Sequence, residues 1–159
     1  MKINIICLGK IKEKYLQDGI NEYKKRISKY ANVEIIELAD EPIPDNASQK
    51  EIDIIKKKEA DKIINQIDSH DYVCALDLSG KQLTSEEFAS KINDITVQGF
   101  STIDFIIGGS LGIEKELVVN SNMVLSFSKL TFPHQLFRII LLEQIYRCFK
   151  INNNETYHK

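Results

Sequence analysis

Three short stretches of this 159-residue chain carry residue types suited to binding a ligand or acting on one. They are Leu76-Asp77-Leu78-Ser79-Gly80, Ile107-Gly108-Gly109-Ser110-Leu111-Gly112, and the ten residues from Ser126 to Gln135, SFSKLTFPHQ. The glycine cluster allows close backbone approach and left-handed dihedrals. It matches neither the phosphate-loop nor the dinucleotide fingerprint, and a tight turn between strand and helix would explain it equally well. The third stretch lacks helix or strand periodicity and runs into a helix start, where backbone N–H groups are unpaired. Such a loop could offer uncharged backbone partners to a base such as adenine; a plain strand-to-helix connection also fits the pattern.

Other chemistries find little support. Cys7, Cys74 and Cys148 are odd in number, far apart and set in apolar segments, as buried free thiols would be. His70, His134 and His158 are equally scattered and show no metal-ligand spacing, so no metal is expected.

The elements that would position these stretches follow from periodicity. Lys2 to Leu8 reads as a strand closed by Gly9, and Tyr15, Ile20, Tyr23, Ile27 and Tyr30 mark an amphipathic helix. Val33 to Leu38 is a second strand, and the prolines at 42 and 44 make a loop. Ser48 with Glu51 predicts a capping box and a helix to about Asp68, with Ile52, Ile55, Ile63 and Ile67 on its buried face and Lys56-Lys57-Lys58 on its solvated side. Tyr72 to Leu78 is an apolar strand interrupted only by Asp77. Thr84 with Glu87 opens another helix that reaches towards Gln98, with Gly99 beyond its end.

Thr102 to Ile107 and Met123 to Phe127 read as further strands, with a helical turn near Glu114 to Val119 between them. The last helix is expected to take Pro133 as its first residue and to continue through Phe149. It is apolar around most of its circumference, so it is either central to the domain or meets another subunit. Strands alternating with helices predict an α/β fold, a mostly parallel sheet covered by helices on both faces. No repeat or linker divides residues 1–159, which read as one domain. In such sheets ligands bind beyond the carboxyl ends of the strands, where all three stretches fall.

Composition sets the context. Hydrophobic residues make up 43% and charged residues 28%, the balance of a folded domain. No apolar run approaches the roughly 20 residues that cross a bilayer, and the first residues lack a signal-peptide pattern, so a cytoplasmic location is expected. The net charge of −2 divides into +3 from Met123 onward and −5 before it. That basic end could meet a phosphate backbone over a limited area, or simply complement a helix C-terminus.

Longer strings narrow the reading. Phe-Ile-Ile-Gly-Gly-Ser-Leu-Gly at 105–112, Leu-Ser-Phe-Ser-Lys-Leu-Thr-Phe-Pro-His-Gln at 125–135 and Leu-Leu-Glu-Gln-Ile-Tyr-Arg at 141–147 occur in order. With Leu-Gly-Lys-Ile-Lys at 8–12 and Tyr-His-Lys at 157–159, they make the chain resemble, end to end, the ribosomal large-subunit pseudouridine methyltransferase H family, minimal members of the SPOUT methyltransferases.

The resemblance implies a C-terminal trefoil knot, a homodimer formed largely through the last helix, and methyl transfer from S-adenosylmethionine to N3 of a pseudouridine in 23S rRNA of the assembled ribosome. It implies cofactor contacts from Leu76, Gly108, Phe127, Ser128, Lys129, Leu130, Thr131 and Phe132. It also implies an RNA-binding tail of Tyr157, His158 and Lys159. Many relatives place a proline before the tyrosine, where this chain has Thr156, which fixes the backbone less. N3 of a pseudouridine holds a proton near neutral pH. His158 is therefore expected to assist its loss, with Arg138 a second candidate through electrostatic stabilisation and His134 assigned to the helix start. Two other readings stay open on the residues alone: a non-catalytic RNA-binding assembly factor, and an enzyme acting on a small molecule.

Overall fold

Apolar runs at strand and helix periods resolve into ten elements in the computed structural model, which describes residues 1–158. In chain order these are β1 (Lys2–Leu8), α1 (Lys14–Ile27), β2 (Asn32–Leu38), α2 (Gln49–Ile64) and β3 (Tyr72–Lys81). They continue with α3 (Ser85–Val97), β4 (Thr102–Ile107), α4 (Lys115–Asn120), β5 (Met123–Leu125) and α5 (His134–Asn152). The strands form one five-stranded sheet in the order β2-β1-β4-β3-β5, and every pairing is parallel.

Strand alternation sends side chains to two cores. Ile3, Ile5 and Phe105 face α1, α3 and α5 through Leu16, Ile20, Phe88, Ile92, Leu141 and Ile145. Ile6, Leu8 and Ile106 face α2 and α4 through Ala60, Ile63 and Leu117. Both faces of the sheet are thus covered. Most of the apolar circumference of α5 is covered within the chain, because the helix lies against the sheet with α1 on one flank and α3 on the other, while Leu136 stays 40% exposed.

Local chemistry sets the boundaries. Ser48 with Glu51, and Thr84 with Glu87, each form the reciprocal capping box that the spacing predicts. After α3, Gly99 N–H reaches Thr96 O and Phe100 N–H reaches Ile95 O, a Schellman ending. α2 stops at Ile64, short of Asp68, because Gln66 and Ile67 tighten into three-residue bonds and the Asp68 carboxylate accepts the His70 N–H. Pro133 is the N-cap of α5, not its first helical residue. Tyr15 is 72% exposed and lies off the buried face of α1, which Leu16, Ile20 and Ile27 supply instead.

One polar pair interrupts the core. Asn4 Nδ2 donates to Asp104 Oδ1 at 2.7 Å between neighbouring strands, and Asn4 Oδ1 and Asp104 Oδ2 find no partner among the described residues. Burial, with Asp71 nearby, pushes the Asp104 carboxyl up to about 6, while the bond from Asn4 opposes the shift. The three cysteines are unpaired and buried, and burial raises each thiol, that of Cys7 to about 11. No helix among the described residues is long and apolar enough to cross a membrane.

Candidate active site

The sheet order decides where the site forms. Leu76 at β3 pairs with Ile107 at the end of β4 on one side and with Leu125 at the end of β5 on the other. The three chemistry-bearing stretches therefore leave the sheet together at its carboxyl edge. β3 does not end at Leu78. Residues 77–80 loop out of the ladder and pairing with Leu125 resumes at Lys81. Asp77 shapes that loop by accepting the Ser79 N–H at 2.9 Å and its hydroxyl at 2.5 Å.

Two glycines allow the backbones to cross. A Cβ on Gly80 would lie 2.6 Å from the carbonyl carbon of Leu125, and one on Gly108 would lie 2.8 Å from that of Gly112. β5 is shorter than the apolar run predicts, because Ser126 turns the chain by donating from its hydroxyl to Ser128 O. Ser128 Oγ in turn accepts the Leu130 N–H at 2.9 Å.

Between these loops lies an open cavity of about 540 Å³. Of the residues expected at the cofactor, Leu76, Gly108, Phe127, Ser128, Leu130, Thr131 and Phe132 line it. Lys129 does not; it is exposed and its side chain belongs to no wall of the cavity. The titratable residues on the wall are Asp77 and His134, neither of which sequence reasoning placed in a ligand contact. Asp77 was visible as the one charge in an apolar run, and His134 as part of the loop that precedes the last helix. Leu78 and Leu130, on the cavity wall, are 57% and 72% exposed, and Leu136, in the first turn of α5, is 40% exposed.

A second, smaller cavity of about 250 Å³ lies alongside the first, between the start of α3 and the outer face of α5. Leu125, Ser126, Phe127 and Phe132 line both.

The tail folds back on its own chain. Tyr157 stacks edge-on against Tyr146 with ring centres 4.9 Å apart, and its hydroxyl donates to Glu143 Oε1 at 3.1 Å. Burial, and then Glu143, push the Tyr157 phenol up to about 12, so it stays a donor. Arg147 grips Glu143 through Nε and Nη2 and lies 3.2 Å from His158 Nδ1, while His158 Nε2 lies 2.7 Å from Glu86 Oε1. A guanidinium has no acceptor, so Nδ1 must accept and Nε2–H must donate. His158 is held as that tautomer at the N-terminal turn of α3, outside the first cavity. Glu155 anchors the tail further through Lys29, Tyr30 and Lys150, and these partners hold its carboxyl down at about 2. Lys159 lies outside the described residues.

Arg138 does not join the cavity walls. It is fully buried, with Nη1 on Glu37 at 2.7 Å and Nη2 on the Leu8 and Gly9 carbonyls at 2.9 Å each, and it lines neither cavity. The geometry gives it the job of tying α5 to the ends of β1 and β2. The basic C-terminal segment is also less available than its charge suggested. Arg138, Arg147 and Lys150 are committed to Glu37, Glu143 and Glu155. The Glu143–Arg147 pair has the i,i+4 helical spacing, a sequence signal that could have revealed it.

Comparison with known proteins agrees with this geometry. A family model described as predicted SPOUT methyltransferase matches residues 1–158. Over all 159 residues of both chains, the sequence is 58% identical to a protein of Clostridium beijerinckii and 57% identical to one of Streptococcus uberis. A Clostridioides difficile protein is 56% identical over the same full length. Each of the three is named ribosomal RNA large subunit methyltransferase H.

Proposed function

The chain belongs to the SPOUT methyltransferase family, and from that premise we propose that it methylates large-subunit ribosomal RNA, moving the methyl group of S-adenosylmethionine to N3 of a pseudouridine in the assembled ribosome. The observation that carries the proposal is the cavity at the carboxyl edge of β3, β4 and β5, walled by the same loops whose sequences mark the family. Full-length identity of 54–58% to proteins named ribosomal RNA large subunit methyltransferase H supports large-subunit RNA as the methyl acceptor.

The cavity suits the donor. Its volume of about 540 Å³ falls in the range for a nucleoside-sized ligand. Adenine needs apolar faces and uncharged hydrogen-bond partners, which Leu76, Phe127, Phe132 and the backbone of residues 126–131 offer. Asp77 is the one carboxylate on the wall and balances a cationic ligand. When bound, S-adenosylmethionine supplies an activated methyl group. The chain has to hold it in line with the attacking nitrogen and keep water out, which supports several kcal/mol of acceleration.

His158 is proposed to take up the N3 proton. Its Nδ1 lone pair is engaged by Arg147, so acting as a base requires that contact to open, as when RNA or a second subunit displaces the tail. Tyr157, with Lys159, is proposed to contact RNA. Homodimerisation fits the exposed Leu130, Phe132 and Leu136, which a second subunit would cover. A trefoil threading of the C-terminal portion and a cytoplasmic location belong to the same proposal.

The test is transfer of labelled methyl from S-adenosylmethionine to three substrates: ribosomes lacking the modification, ribosomes carrying it, and protein-free 23S rRNA. Label confined to the first supports the proposal and the need for assembled surface. Equal labelling of free RNA removes that need. Donor binding without any transfer to RNA points to the small-molecule reading.

A further inference from the structure

The second cavity has no role in holding a nucleoside-sized donor. At about 250 Å³ it is below the range that takes such a molecule, yet four of its wall residues also line the first cavity. Those four residues form a wall common to the two cavities.

Its wall combines aromatic and polar side chains. Phe127 and Phe132 give aromatic surface, with the buried Phe88 behind meeting Phe127 edge-on at 6.0 Å. Ser85 and Gln144 give the polar edge, with Ser85 Oγ donating to Gln144 Oε1 at 3.0 Å. The start of α3 adds the Ser85 N–H group, which no helical carbonyl reaches.

Gln144 also belongs to a closed chain of contacts that returns to the same wall. Its Nε2 donates to Glu143 Oε2 at 2.7 Å, and Glu143 binds Arg147 and Tyr157. Arg147 meets His158, and His158 meets Glu86, the residue after Ser85. The network therefore joins the tail to the rim of the second cavity. The first cavity has no such link.

Resting on the methyltransferase reading, we propose that the second cavity is the acceptor subsite, taking a single uracil-type base with its imide edge against Gln144 and Ser85. That edge alternates carbonyl, N–H and carbonyl, and an amide beside a hydroxyl supplies both a donor and an acceptor to it. The aromatic walls accept the ring by stacking. In the transfer the imide N–H bond breaks and its proton leaves to His158 or water. A nitrogen–methyl bond forms as the donor's sulfur–methyl bond breaks, leaving a neutral thioether. Negative charge that builds on the flanking carbonyl oxygens faces the positive end of α3. The neighbouring Glu86 is held below the usual carboxylate range by the bond from its own backbone N–H and then by His158, so its own charge is engaged there.

The experiment compares Gln144→Leu and Ser85→Ala with the unaltered protein. Donor affinity is read by calorimetry with S-adenosylmethionine, and kcat/KM is read on ribosomes lacking the modification. Loss of kcat/KM by about 10- to 100-fold with unchanged donor affinity is expected, from hydrogen bonds lost in a desolvated site. Pseudouridine added to the labelled protein should shift the amide resonances of Ser85, Glu86, Phe88 and Gln144. Full activity in both variants, shifts confined to the glycine loop, or a partner subunit's side chain filling the cavity in solution would overturn the subsite and leave the methyltransferase reading standing. Failure of the unaltered protein to methylate any RNA would instead remove the reading on which the subsite rests.

Discussion

Removing Arg138 separates a structural arginine from a catalytic one. Its guanidinium is fully buried and makes three charge-assisted bonds, one to Glu37 and two to the Leu8 and Gly9 carbonyls, and its Nε has no partner. In Arg138→Met, two carbonyls lose their donor at about 1–3 kcal/mol each, partly offset by removing a dehydrated charge. Glu37 is left with its side chain 31% exposed and can rehydrate. The net loss should be about 2–4 kcal/mol. Glu37→Gln instead strands the charge where water cannot reach it, and should cost about 3–5 kcal/mol. The smaller carboxylate change is thus expected to do at least as much harm as removing the whole guanidinium.

Urea unfolding at fixed protein concentration measures both variants, and the double variant should cost less than the sum of the two. Transfer rate is then read at a temperature where each variant is fully folded, and should stay within a few-fold of the unaltered rate. Arg138→Met with unchanged unfolding and a hundredfold loss of rate would refute this reasoning and return Arg138 to the chemistry.

Other perturbations test separate parts of the structure. The Asp104 carboxyl is raised to about 6 by burial, so its contribution to stability is full below about pH 4 and is lost as pH rises through 6. Asp104→Asn, which can also donate to the unpartnered Asn4 Oδ1, should flatten that dependence and add on the order of 2 kcal/mol at pH 8, read by denaturant melts across pH. Gly108→Ala puts a methyl group 2.8 Å from the Gly112 backbone. It should weaken donor binding by about tenfold in calorimetry while circular dichroism stays unchanged. The Glu155 carboxyl is held at about 2 by Lys150, Tyr30 and Lys29, so its grip on the tail is present above the ordinary carboxylate range and fails as pH falls towards 2. Tyr157 ring resonances should report that release, and Glu155→Gln should release the tail at neutral pH and lower ribosome methylation more than donor affinity.

The sequence disclosed most of the frame because strand and helix periods, two capping boxes and the ending at Gly99 are local signals. Asp77 and His134 were each visible, but their joint presence in one wall depends on β3, β4 and β5 ending side by side, which spacing along the chain does not encode. The loop-out at residues 77–80 was hidden for the same reason, since only the pairing of Lys81 with Leu125 reveals it. The setting of Arg138 was not legible because residue type and family analogy say nothing of burial, and its partner Glu37 lies 101 residues away. The second cavity was missed outright. Ser85 and Gln144 are 59 residues apart and carry no motif.

The central claim is tested most directly by locating the methyl group. Ribosomes lacking the modification would be reacted with this protein and labelled S-adenosylmethionine, and their large-subunit RNA then extracted, digested to nucleosides and separated. The account predicts that all label runs with N3-methylpseudouridine and that Gln144→Leu reduces that one product. Label in a ribose, in another base or in ribosomal protein would contradict it.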